Sequence, residues 1–129
     1  MLTNPYSYFL NQLQINSAGH KLFFDVRVTT KIKSLIRLLV ELNVVRRFHV
    51  RGTNFYRVFP AYSRFSGYTR DIKTYARVNA RIRLRLKAIR IISVDAPRSH
   101  YILETNKGLM THREALERGI GGVLLLTVH

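Results

Sequence analysis

Residues 31–90 carry 16 lysines and arginines against only two acids, Glu41 and Asp71. That segment constrains the fold more than any other feature. A buried charge without a partner costs several kcal/mol, so each cation must stay in water or meet an anion. The apolar residues between the cations must therefore recur at a period that separates two faces. In Thr29–Val40 they recur at the helical period: Ile32, Leu35, Ile36, Leu39 and Val40 form one stripe, while Lys31, Lys33 and Arg37 face out. Thr29 or Thr30 can cap that helix. Farther along the period is two: Ala80, Ile82, Leu84 and Leu86 alternate with Arg81, Arg83, Arg85 and Lys87. A strand with that pattern shows four cations on one face. Such a row repels itself, which favours a bound anion over a merely solvated face. From Leu86 to Val94 the pattern loosens and can become a short helix.

The remaining elements follow from the same reasoning. Asn4-Pro5 opens a helix whose Tyr6, Phe9, Leu10 and Leu13 share a face, and Asn16-Ser17-Ala18-Gly19 ends it. Leu22, Phe24, Val26 and Val28 alternate with Phe23, Asp25 and Arg27, the pattern of a half-buried strand. Val44–Val50 and Phe55–Tyr62 read as a hairpin about the turn Arg51-Gly52-Thr53-Asn54. Pro60 marks the second strand as an edge, or its last residues as irregular. The polar loop SRFSGYTRD, residues 63–71, separates this half from the next. Pro97 interrupts what precedes it, and Tyr101–Leu103 and Val123–Val128 are strands. The elements make an α+β chain of two small α/β halves. Residues 1–66 hold helix, strand, helix and hairpin; residues 67–129 are mostly antiparallel sheet with short helices.

Net charge is +15 over 129 residues, and it is unevenly placed. Residues 1–30 carry Lys21, Arg27 and Asp25, and residues 91–129 balance four bases with four acids, so the excess lies in the middle. Such a field attracts polyanions, nucleic acid first. Sixteen of the 22 bases are arginine, which forks onto phosphate and stacks on bases, so RNA suits them well. An anionic membrane surface would call for a long basic amphipathic helix instead. The longest apolar run near either end, Val123–Leu126, is far short of a bilayer span, and the opening residues have no basic lead-in of a signal or transit peptide. With no cysteine, disulfides and thiolate metal sites are excluded.

The stretch ETNKGLMTHREALERGIGG, residues 104–122, differs from its surroundings in being nearly neutral and rich in glycine. Thr105-Asn106-Lys107-Gly108 is a tight turn with exposed polar side chains. Thr111-His112-Arg113-Glu114 matches a capping box, and Gly119 supplies a left-handed stop. Gly121-Gly122 lets the backbone pass close to another segment, and Met110 has the setting of a core residue. A small corner of this kind can enter a groove and read edges, sugars and phosphates. Long-range attraction then falls to the basic middle, with Arg81, Arg83 and Arg85 on phosphate. Arg51-Gly52 with Phe55, Tyr56 and Phe59 faintly resembles an RNA-recognition strand, but the spacing is wrong, and core packing is the favoured reading of these rings. His112 and Glu114 have the H-x-E spacing of zinc deaminases without the cysteines they require. The five histidines are scattered, so no metal site is expected. With seven acids and no recognisable catalytic frame, no catalytic residue is assigned. The alternative to a structural RNA-binding role is a free nucleic-acid-binding regulator or a nuclease.

Residues 102–122, ILETNKGLMTHREALERGIGG, resemble the closing signature of the small-subunit ribosomal protein eight family. That signature runs apolar, Ser-Thr-Ser-Lys-Gly, apolar, Met-Thr, any, Arg, a short helix, then Gly-any-Gly-Gly and a strand. This chain matches at Thr105, Lys107, Gly108, Met110, Thr111, Arg113, Gly119, Gly121 and Gly122. Asn4-Pro5 stands where the family usually has Asp-Pro, and Thr30-Lys31-Ile32-Lys33 is similar to its Ser-Lys-Leu-Lys. The chain departs at Glu104 and Asn106, which replace the two serines, and at Val78-Asn79, which replaces Pro-Gly. The resemblance implies two α/β halves and a structural, non-enzymatic protein of the small ribosomal subunit. Its implied partners are the central domain of small-subunit ribosomal RNA and neighbouring small-subunit proteins, with no cofactor, membrane or small-molecule substrate. It implies that Thr105, Asn106, Lys107 and Gly108 sit in an RNA minor groove. Thr111 and Arg113 would support that turn or touch the backbone, and Asn4, Lys31 and Lys33 would contact RNA from the first half. The departures and the raised charge are those of an organellar version, mitochondrial in expectation, with plastid or bacterial origin as alternatives.

Overall fold

The computed structural model describes residues 5–61, 72–75 and 82–129, and its fold is α+β, as the periodicities require. The chain divides into two compact units, residues 3–70 and 71–129. The boundary read from the sequence, like the loop 63–71, falls in a stretch outside the described residues, as do Asn4 and Arg81.

In the first unit the order is α1 (Pro5–Ala18), β1 (Phe24–Arg27), α2 (Thr30–Glu41), β2 (Val45–Val50) and β3 (Phe55–Pro60). The strands form an antiparallel sheet in the order β1-β3-β2. Tyr6, Phe9, Leu10 and Leu13 of α1 are buried with Ile32, Leu35, Ile36 and Leu39 of α2 and with Val26, Tyr56 and Val58 of the sheet. Each such aliphatic or aromatic side chain contributes about 1.5–3 kcal/mol when withdrawn from water. Thr29 caps α2, its hydroxyl accepting from the Ile32 N–H at 3.4 Å.

In this unit one local expectation is corrected and two are sharpened. Helix α1 ends at Ala18, inside the stretch expected to end it; Asn16 and Ser17 are still helical and buried, and the Asn16 side chain donates to the Gln12 carbonyl at 2.6 Å. Packing has overridden their preference for turns, and the left-handed residue is His20, at φ 55°. Leu22 is 77% exposed, because β1 begins only at Phe24. Strand β3 is central rather than an edge, and Pro60 is tolerated because the ladder with β1 stops at Val58. The irregular alternative holds for that end: the register with β2 shifts between Val45 and Arg47.

The second unit contains β4 (Ile72–Thr74), β5 (Arg83–Leu84), α3 (Leu86–Asp95), β6 (His100–Thr105), β7 (Gly108–Thr111), α4 (His112–Arg118) and β8 (Gly122–Val128). Among the described residues all pairings are antiparallel; β8 lies between β6 on one side and β4 and β5 on the other. Ile89 of α3 and Ala115 of α4 pack with Leu103, Met110 and Leu124 in one core. Among the described residues the alternation around Arg83 makes a strand of only two residues. Arg85 is the extended N-cap of α3, and Lys87 lies inside that helix. The row of four cations is thus broken, because burying Ile89 requires a helical period from Leu86 onward.

Candidate nucleic-acid interface

Strands β6 and β7 form a hairpin with Thr105 opposite Gly108, leaving Asn106 and Lys107 exposed at its tip. Gly108 takes φ 103°, a conformation that strains any residue with a Cβ. The Thr105 hydroxyl accepts from the Lys107 N–H at 3.1 Å and donates to the Gly108 carbonyl at 2.8 Å. Its proton is used inside the turn, so its remaining lone pair faces a ligand only as an acceptor. Asn106 and Lys107 supply the donors.

The two glycines before β8 set what stands beside this tip. A Cβ on Gly121 would lie 2.5 Å from the Leu84 carbonyl oxygen, and one on Gly122 would lie 2.8 Å from that of Glu104. The glycine pair therefore lets β8 start between β5 and the end of β6, as its spacing in the sequence anticipates. The result is an open cleft of about 510 Å³, lined by Arg83 and Arg85 on one side and by Glu104, Thr105 and Asn106 on the other. Two cations from the basic middle thus meet the nearly neutral corner. Glu104, which replaces a serine of the resembled signature, also lines this cleft.

Thr111 and Arg113 stand behind the tip. The Thr111 hydroxyl caps α4, accepting from the Glu114 N–H at 3.3 Å, and Gly119 closes the helix at φ 69°. The Glu114 carboxylate lies 3.5 Å from Arg118. The Arg113 guanidinium contacts the His100 ring nitrogen Nδ1 at 2.9 Å and donates to the Pro97 carbonyl. It ties the loop after α3 to the start of α4. In the first unit Lys31 is exposed in the first turn of α2, and Lys33 lines an open cleft with Arg27, Thr29, Asn54 and Phe55.

Two features escaped the sequence reading. His112 is fully buried, its Nδ1 accepting from the Tyr101 N–H at 3.1 Å. Phe55 is 46% exposed and Phe59 half-buried, so the core reading of these rings holds only for Tyr56. Alternation along β3 carries the signal for that split, since Tyr56 and Val58 share the inner face and Phe55, Arg57 and Phe59 the other. Among the described residues no cluster of three or more His, Cys, Asp or Glu side chains is placed to hold a metal ion.

The family model for ribosomal protein S8 matches residues 4–129. The chain is similar to the small ribosomal subunit protein uS8 of Geobacter metallireducens, 27% identical over 131 residues, and to that of Anaplasma phagocytophilum, 26% identical over 134 residues; each match covers 98% of both chains. The match runs over nearly the whole chain: the chain belongs to the ribosomal protein S8 family and is a ribosomal protein, not an enzyme.

Proposed function

We propose that the chain is a structural constituent of the small ribosomal subunit that binds the central domain of small-subunit ribosomal RNA and helps to organise it. The observation that carries this reading is the cleft in which Arg83 and Arg85 face the Thr105–Asn106 turn. Cations there neutralise phosphate, while a narrow polar tip reads a groove. The wide, shallow minor groove of RNA, with its 2′-hydroxyls, fits a turn that offers one acceptor, an amide and an ammonium. In this reading Thr105, Asn106, Lys107 and Gly108 enter the groove. Thr111 and Arg113 hold the turn's supports in place, and Lys31 and Lys33 add contacts from the first half. Residues 1–66 and 67–129 then act as two halves, the second carrying the main RNA-binding loop, with neighbouring small-subunit proteins as further partners.

The compartment we infer is the mitochondrial matrix. The net charge of +15 and the departures at Glu104 and Asn106 favour an organellar ribosome, whereas the organisms of the two relatives fit the bacterial alternative. Imaging of the tagged chain against a mitochondrial marker separates the two.

Lys107→Ala combined with Asn106→Ala is expected to weaken binding to the matching RNA helix by about 1–3 kcal/mol per lost base-edge contact. A filter-binding titration reads this directly, and an unchanged affinity removes the tip from the binding surface. Sedimentation with small subunits at moderate salt separates a ribosomal constituent from a free regulator.

A further inference from the structure

The outer face of the first unit's sheet takes no part in the Arg83–Arg85 cleft, yet its composition is unusual. Cross-strand pairing places Arg27 opposite Phe55, Asp25 opposite Arg57, and Arg57 opposite His49. Phe59 stands opposite Arg47. A sheet face turned to water normally carries polar side chains. Here Phe55 is 46% exposed, Phe59 is half-buried, and Phe23, just before β1, is 40% exposed with its ring 5.7 Å from that of Phe59.

Each ring has an arginine on it. The guanidinium carbon of Arg27 lies 5.4 Å from the Phe55 centroid, that of Arg47 lies 4.6 Å from Phe59, and that of Arg57 lies 4.1 Å from Phe23. Arg57 also forms two hydrogen bonds to Asp25, at 3.0 and 3.3 Å. Those bonds, with the charges of Arg57 and Arg51, hold the Asp25 carboxyl below its ordinary pKa, so the lone acid stays ionised and occupied by Arg57. Arg27 and Arg47 remain as cations beside the rings.

We propose that this face is a stacking platform for an unpaired RNA strand, two of whose bases stack on the Arg27–Phe55 and Arg47–Phe59 pairs while the guanidinium edges meet its phosphates. Flat rings beside guanidinium groups are the surface that single-stranded nucleic acid takes, because every base has a π face and every nucleotide a phosphate. The guanidinium planes themselves add stacking area. Phe55 and Phe59 are four residues apart on one strand, hence about 13 Å. Between the two positions stands Arg57, with the Phe23 ring on its guanidinium. The face also runs on into the open cleft that holds Lys33, since Arg27 and Phe55 line both. The platform deepens the RNA-binding reading and rests on it for the class of partner, but it uses different residues and takes unpaired rather than helical RNA.

The test uses the full chain and a short labelled oligouridylate. Ultraviolet crosslinking of the unaltered protein is expected to map uridine to β2 and β3. Phe55→Leu and Phe59→Leu keep an apolar side chain but lose the π face. Each is expected to lower oligouridylate affinity roughly tenfold, leaving affinity for inorganic polyphosphate unchanged. Asn106→Ala with Lys107→Ala is expected to leave oligouridylate binding intact while weakening the RNA helix. Wild-type affinity in both phenylalanine variants, or crosslinks confined to the second unit, overturns the platform alone. Polyglutamate that binds the face more tightly than the oligonucleotide, and is lost in the same variants, overturns it in favour of an acidic protein segment. If neither oligouridylate nor the RNA helix binds at moderate salt, the platform and the RNA-binding reading fall together.

Discussion

His112 shows how much one side chain can depend on its surroundings. It begins α4 and is fully buried, with its ring edge-on to Tyr101. Because Nδ1 accepts from the Tyr101 N–H, the neutral ring carries its proton on Nε2. Burial, then the nearby charges of Arg113 and His100, lower its pKa from 6.5 to about 4. The unfolded chain therefore binds the proton more readily than the folded one between these values. Stability is whole above about pH 6.5 and falls as pH drops towards 4, by up to about 3 kcal/mol from this group. Urea melts across that range are expected to show the loss. His112→Gln, which keeps an acceptor but has nothing to protonate there, is expected to flatten the profile. In the linear sequence His112 is only half of an H-x-E spacing, and its partner is eleven residues away across a hairpin. The same limit explains Phe55: its alternation with Tyr56 was legible, but which of the two faced α1 and α2 was not.

Among the elements, the glycine pair carries the clearest consequence. Gly121→Ala would push a methyl into the Leu84 carbonyl, and backbone cannot rotate aside as a side chain can. Overpacking of this kind costs about 1–3 kcal/mol. The expected result is a lower urea midpoint and a displaced Arg83–Arg85 wall, with weaker RNA binding. Gly52→Ala is the control, because nothing lies within 4 Å of its added Cβ and its effect is expected to stay within about 0.5 kcal/mol. The capping residues Thr29 and Thr111 and the left-handed Gly119 were readable because caps act within one turn of chain. The boundary between β5 and α3 was less so. Arg83, Arg85 and Lys87 fit a period of two, while Leu86 and Ile89 fit a helix. Only the core around Ile89, Leu103 and Met110 decides where one gives way to the other.

For the whole molecule, charge sets how binding responds to salt. Arg83→Gln with Arg85→Gln is expected to flatten the log–log salt dependence of RNA affinity by about one to two counterions, with little change in stability because both side chains are exposed. An identical slope would mean that these cations do not reach phosphate. The excess of charge in residues 31–90, the two helical stripes, the hairpins and the family signature of residues 102–122 were all present in the order of residues. They depend on period, on caps and on composition, which act over a few residues or over the sum of them. The meeting of Arg83 and Arg85 with Thr105 and Asn106, the central place of β3 and the outward turn of Phe55 and Phe59 were decided by the fold. Each depends on which strands pair and which sheet face the helices cover. Those are contacts between distant residues, and a local pattern is compatible with more than one of them.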